Sequence, residues 1–283
     1  MNRLLAAAMS GLSLMASAQE RVHPAVAHLG EFQVIEFRRY TIAPGGQQDF
    51  ASYFQSYFPE AFEQLGAIAF GQFTERGNPA SFTWLRGFKN MEGRAIVNSA
   101  FYYGPLWKEH KATLNALIVD SDNVMLMHPL RPVPVLPAVD PVKERDGAHG
   151  VVVAQLFALK AGVTAEAFAQ QAESAFAAYR AAGAREAGVL ATLDVPNNFP
   201  QLPVRTDGTY VAWMGIVKDD GMLEQQLKPA IARAAALFDK TGMLRATPEL
   251  LVLDPASRSR LRWLASGGQF ESDHARQDQG YAQ

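Results

Sequence analysis

Glu36, Arg38 and Tyr40 stand at alternate positions in the stretch from Val34 to Gly46, VIEFRRYTIAPGG. Along an extended strand successive side chains point to opposite faces. The acid, the base and the phenol therefore share one face, and Ile35, Phe37 and Arg39 share the other. A guanidinium in such a row can anchor a carboxylate, phosphate or enolate oxygen. Glu36 could act as a general base if burial raised its pKa, and Tyr40 could donate to an oxyanion. The row also has a purely structural reading, an i,i+2 ion pair of Glu36 with Arg38. Charges taken out of water are costly unless they are paired.

Other residues could join this chemistry. Trp84, Arg86 and Phe88 share one face of a second strand, where they could line a cavity or fill a core. His110 lies between Leu106 and Leu114 on an apolar helical stripe, close to Trp107. It could move a proton near neutral pH or sit as a satisfied boundary residue. The candidates are thus Glu36, Tyr40 and His110 for proton transfer, and Arg38, Trp84, Arg86 and Trp107 for ligand binding.

Several classes of function have no support. The six histidines form no H-x-H or H-x-x-x-H pair, and cysteine is absent, so no metal site is expected. No glycine-rich phosphate loop or G-x-S-x-G elbow occurs. A net charge of -2 without basic clusters argues against nucleic acid. No apolar run reaches the roughly 20 residues of a membrane span. Residues 1–18 read as a secretory leader: Arg3, an apolar stretch, then Ala16-Ser17-Ala18 before Gln19. Cleavage after Ala18 would place the chain in the periplasm or outside the cell; without it the chain is cytoplasmic.

The elements that position these residues occur twice. A strand at Val34–Ala43 leads through Gly45-Gly46 into a helix over 47–65, with a break expected at Pro59. Strands follow at Ala67–Glu75 and Ala80–Lys89, then a helical region capped by Asn90 and interrupted at Gly104-Pro105, then a strand from Val124. A semi-rigid, proline-rich linker spans 131–147. The pattern restarts at Val151. Gly45 and Gly66 recur as Gly162 and Gly183 at a shift of 117, and WLRGFK at Trp84 recurs as WMGIVK at Trp213 at a shift of 129. Met127-His128-Pro129 and Leu253-Asp254-Pro255 close the two units alike.

This order implies an α+β chain of two tandem ferredoxin-like (βαββαβ) domains, 31–130 and 148–255, forming a dimeric α/β-barrel-like arrangement, with a polar tail over 256–283. Each four-stranded sheet would carry its helices on one face, and its bare face must be covered by the other repeat or by another subunit. A homo-oligomer is one outcome. If helices take the Ile35/Phe37 face, the polar row points into the enclosed interior. The matching positions in the second repeat are Val153, Gln155 and Phe157, so the row exists once, and any ligand site belongs to the first repeat.

These residues resemble the NIPSNAP family of the dimeric α/β-barrel superfamily. An E-x-R-x-Y row followed by a glycine turn is matched by Glu36, Arg38, Tyr40 and Gly45. An aromatic followed six residues later by Arg is matched by Phe88 and Arg94, and an aromatic-rich second helix by Phe101, Tyr102 and Trp107. Where the family places Trp two residues before that aromatic, this chain has Arg86. The resemblance implies the fold and a protein of undefined activity. The first expectation is a binder of a small apolar or aromatic molecule in a barrel cavity near Arg38. Superfamily relatives suggest, as an alternative, a cofactor-independent monooxygenase acting on a quinol or phenol; a third reading is a protein-interaction module. No cofactor is predicted, and haem on His110 rests on superfamily analogy.

Overall fold

The computed structural model describes residues 31–130 and 150–263. The leader read over 1–18 and the linker read over 131–147 lie outside the described residues. The first repeat runs β1 (Val34–Ile42), α1 (Gln47–Tyr57), α2 (Pro59–Gln64), β2 (Ile68–Glu75), β3 (Asn78–Phe88), α3 (Met91–Tyr102), α4 (Pro105–Asn115), a short β4 (Ile118–Asp120) and β5 (Val124–Pro129). The second runs β6 (Val151–Ala158), α5 (Ala165–Ala181), β7 (Arg185–Thr192) and β8 (Tyr210–Val217). A helical turn Asp220–Met222 and a π-helical turn Leu223–Leu227 then lead into α6 (Lys228–Thr241), and β9 (Glu249–Pro255) follows.

Local chemistry sets these boundaries. Gly45 takes φ +78° in the turn before α1, a left-handed conformation that costs glycine little. Pro59 cannot donate to the preceding turn, so α1 ends at Tyr57 and α2 starts with proline at its first position. Asn90 caps α3 by accepting from Gly93 N at 2.8 Å, and Thr164 caps α5 by accepting from Ala167 N at 3.2 Å. The sheet order is β3-β2-β9-β6-β8-β7-β5-β1, and β1 pairs back onto β3. Eight antiparallel strands therefore close a barrel, with β4 added beside β1. The repeats meet edge to edge at β2–β9 and β5–β7, so closure is achieved within one chain.

The strand registers place the two repeats in correspondence. Glu36 lies opposite Arg86 and Arg38 opposite Trp84. Val153 lies opposite Gly215 and Gln155 opposite Trp213. Both second strands carry an irregularity at the same place, between Ala69 and Gly71 and between Glu186 and Gly188. The shifts of 117 and 129 read from sequence are thus ladder equivalences.

The barrel interior corrects one expectation. Ile35 and Phe37 point into the lumen, where they pack with Leu85, Met125, Met127, Met214 and Leu253. An eight-stranded barrel is narrow enough for side chains to fill; the void left beside Ile35 and Leu261 is about 20 Å³. Glu36, Arg38 and Tyr40 face outward, under α1–α4, together with Trp84 and Phe88. On the lumen side the charge on this strand is Arg39, which pairs with Glu75 and Glu249 toward the end of the barrel; on the helix side α3 brings Arg94 to Glu36. From Val34 to Arg38 both faces of β1 are buried, because helices cover one and the lumen takes the other; Arg39 and Thr41, further along the lumen face, reach water.

The polar tail also starts in order. Arg260 N and Leu261 N both donate to Phe70 O, Leu261 plugs one end of the lumen, and Trp263 lies under the Arg185 guanidinium. Residues beyond 263 lie outside the described residues. No helix among the described residues is long and apolar enough to cross a membrane.

Candidate functional site

Three guanidiniums converge on one carboxylate beneath the helices of the first repeat. Arg38 Nη1 donates to Glu36 Oε2 at 2.8 Å, and Arg86 donates to the same oxygen through Nη2 at 2.6 Å and Nε at 3.1 Å. Arg94, from α3, donates Nε to Glu36 Oε1 at 2.8 Å. Exposure is 1% for Arg38 and 0% for the other three side chains, which marks the cluster as fully withdrawn from water. The i,i+2 pair expected from sequence is present, but as one arm of a four-residue cluster.

This environment removes Glu36 as a general base. Burial pushes its carboxyl up; Arg86, Arg38 and Arg94 together outweigh that and hold it well below the usual carboxylate range. Both of its oxygens are occupied by charge-assisted bonds. Arg38 is held protonated: burial opposes its charge, while Tyr40 and Glu36 favour it. Its Nε donates to the Tyr40 hydroxyl at 2.8 Å. Burial raises the Tyr40 phenol, against the pull of Arg38, so the group stays neutral and available for hydrogen bonding.

Beside Arg38 and Tyr40 lies a cavity of about 90 Å³. That is several times what one water requires. Its apolar wall is Phe54, Phe58, Phe62, Phe101, Tyr102 and Trp107, with Trp84 at its floor. Three of the four ligand-binding candidates, Arg38, Trp84 and Trp107, thus reach one space. Arg86 does not line it; its guanidinium lies beneath, over the rings of Phe62, Trp84 and Phe88. His110 is placed elsewhere. Its Nδ1 bonds Tyr53 Oη at 2.7 Å and its ring stacks on Tyr57 at 3.9 Å, between α1 and α4 and one layer behind Phe58 of the cavity wall. Among the described residues no group of three or more His, Asp or Glu is placed to hold a metal.

Two contributors were not legible as site residues. Arg94 stood out only as part of the family pattern; its contact with Glu36 spans 58 positions. The second is the loop after β7, from the other repeat. Asn197 and Asn198 accept from Arg94 Nη1 at 3.0 and 2.8 Å, Phe199 packs against Tyr102 and Tyr103, and Leu202 closes part of the cavity.

Residues 35–134 match the sequence model of the family described as NIPSNAP. The first repeat is a NIPSNAP domain. No curated protein matches the chain. Among solved structures, a provisionally named monooxygenase from Lactobacillus acidophilus NCFM superposes with a TM-score of 0.50 at 12% identity, over 79% of this chain and 94% of its own. A second provisionally named monooxygenase, from Fusobacterium nucleatum, does so with a TM-score of 0.50 at 9% identity, over 82% and 96%. A NIPSNAP family protein from Agrobacterium tumefaciens strain C58 covers 36% of this chain and 98% of its own, at 19% identity and a TM-score of 0.34. At these identities the first two likenesses are of fold, and they extend over both repeats.

At the matched place in the second repeat the described residues form a packed apolar core. Tyr179 donates to Gln155 at 2.9 Å, and its ring meets Trp213 at 4.9 Å in an apolar core. A Cβ at Gly215, the counterpart of Arg86, would lie 2.3 Å from the Trp213 ring, so the indole occupies the space where an arginine would begin. The NIPSNAP domain alone of the two repeats keeps both charge and space.

Proposed function

We propose that the NIPSNAP domain binds a small apolar or aromatic molecule in the cavity between the β1–β3 face and α1–α4, beside Arg38 and Tyr40. In this reading the chain is a tandem of ferredoxin-like repeats in which the second completes the barrel and covers the site. The observation that carries it is the contact of a buried, charged row with an aromatic-walled space of about 90 Å³, against a filled core at the matched place. A barrel-lumen site has no such support.

The test is a thermal-shift screen of the protein with hydroquinones, phenolic acids, fatty acids and haem, beside a Leu114→Trp variant that fills the cavity. A ligand at 100 times its Kd stabilises by about 2.7 kcal/mol. A shift lost in a cooperatively melting Leu114→Trp protein supports the reading; no shift with any member overturns it.

A cofactor-independent oxygenase is the second reading, favoured by the Tyr40 phenol beside the cavity with its hydroxyl bonded to Arg38. Proton transfer would then fall to Tyr40, since three arginines hold Glu36 well below the range of a general base and His110 lies behind the cavity wall. Oxygen uptake with a bound hydroquinone, lost in Tyr40→Phe while binding persists, separates this reading from simple binding.

A further inference from the structure

We infer that the molecule taken into this cavity is an aromatic acid, its oxyanion docking on Arg38. The inference rests on the cavity being a binding site and concerns the class of ligand.

The first ground is charge. Arg38, Arg86 and Arg94 share Glu36 as their only carboxylate among the described residues. The cluster therefore holds two more positive charges than negative ones, in a place with at most 1% exposure. Buried charge without a counter-charge is strongly unfavourable. Glu36 supplies a single negative charge to all three, with Oε1 accepting from Arg94 and Oε2 from Arg38 and Arg86.

The second ground is unused donors. Trp84 lines the cavity and its Nε1 is buried without a hydrogen-bond partner, as are Arg86 Nη1 and Arg94 Nη2 in the layer beneath. Arg38, the guanidinium that lines the cavity, commits Nε to Tyr40 and Nη1 to Glu36, which leaves Nη2 for a ligand. Buried donors normally find acceptors, and the two donor side chains that line the cavity, Arg38 and Trp84, are complementary to a carboxylate, which only accepts.

The third ground is an internal control. At the matched place in the second repeat Trp213 Nε1 donates to Glu186 at 3.0 Å. Glu186 lies opposite Gly215 as Ala69 lies opposite Arg86. The first repeat therefore lacks the carboxylate that the second supplies, having only the unpaired Gln72 amide opposite Trp84, while Arg38 and Arg86 replace Gln155 and Gly215. Surplus positive charge and a missing carboxylate coincide where the cavity is. The aromatic wall then selects a ring to carry the acid.

The experiment compares benzoate and naphthalene-2-carboxylate with their neutral carboxamides by titration of the protein at low salt. The acids are expected to bind about 10- to 100-fold tighter than the amides, the range a charge-assisted hydrogen bond supports. Arg38→Gln should abolish the preference while leaving amide binding in place, and Arg38→Lys should keep part of it. Equal binding of acid and amide to the wild type overturns the acid requirement and leaves the cavity reading standing. Binding of neither, with no hit in the wider screen, overturns both. The wild-type comparison decides the matter even if an Arg38 variant fails to fold.

Discussion

Arg94 and Asn198 lie 104 positions apart, in different repeats, and meet at 2.8 Å. The same guanidinium donates Nε to Glu36. One side chain therefore ties the charged centre of the NIPSNAP domain to the loop that the second repeat lays over its cavity.

Separating these two roles gives the first prediction. Asn198→Ala should cost about 1–2 kcal/mol, since it removes two hydrogen bonds at an exposed side chain, the one from Arg94 and the one it donates to Met91 O. It should raise amide hydrogen exchange in residues 196–204 without disturbing the core. Arg94→Ala should cost several times more, because it also withdraws a partner from a buried carboxylate. Chemical denaturation with hydrogen exchange reads both. Equal costs for the two variants would show that the link to Glu36 is energetically idle.

Glu36→Gln should destabilise by roughly 3–5 kcal/mol, since it leaves three buried guanidiniums facing a neutral amide. The pH dependence follows from the lowered carboxyl. A group depressed on folding contributes stability that is complete above its unfolded value, here 4.5, and that is lost as pH falls from there toward the folded value. Denaturation midpoints between pH 7 and pH 3 should fall in the wild type and flatten in Glu36→Gln. Parallel profiles would remove Glu36 as the source.

The matched tryptophans make a paired test. Trp84→Phe and Trp213→Phe delete the same atoms from equally buried sites. Only Trp213 loses a hydrogen bond and leaves Glu186 one donor short. Trp213→Phe should therefore cost roughly 1–3 kcal/mol more than Trp84→Phe in the same denaturant series.

Gly215→Ala should destabilise by about 1–3 kcal/mol, through overpacking. Its φ lies outside the left-handed region, so the cost comes from the Trp213 ring, which Tyr179 and Phe176 hold in place. Loss of stability without loss of the ligand response would confirm that the second repeat's core is separate from the cavity. A change below about 0.5 kcal/mol would mean that the indole is free to move.

The amino-acid sequence by itself determined the element order, the duplication and the row. Glycines at a shift of 117 and tryptophans at 129 mark the same turns and ladder positions in both halves, because turn geometry and strand alternation are local properties of the chain. The same alternation put Glu36, Arg38 and Tyr40 on one face and showed that the second repeat lacks them. Which face meets the helices was beyond it. Lumen and helix layer both bury β1 from Val34 to Arg38, so alternation carries no inside-or-outside cue there, unlike in a strand with one wet face. Only tertiary structure decided that Ile35 and Phe37 fill the lumen, that Arg94 reaches Glu36 across 58 positions, and that Asn197 to Leu202 cross from the second repeat to close the cavity of the first. Those contacts depend on barrel closure at β2–β9 and β5–β7, a long-range pairing of edges that no local pattern specifies.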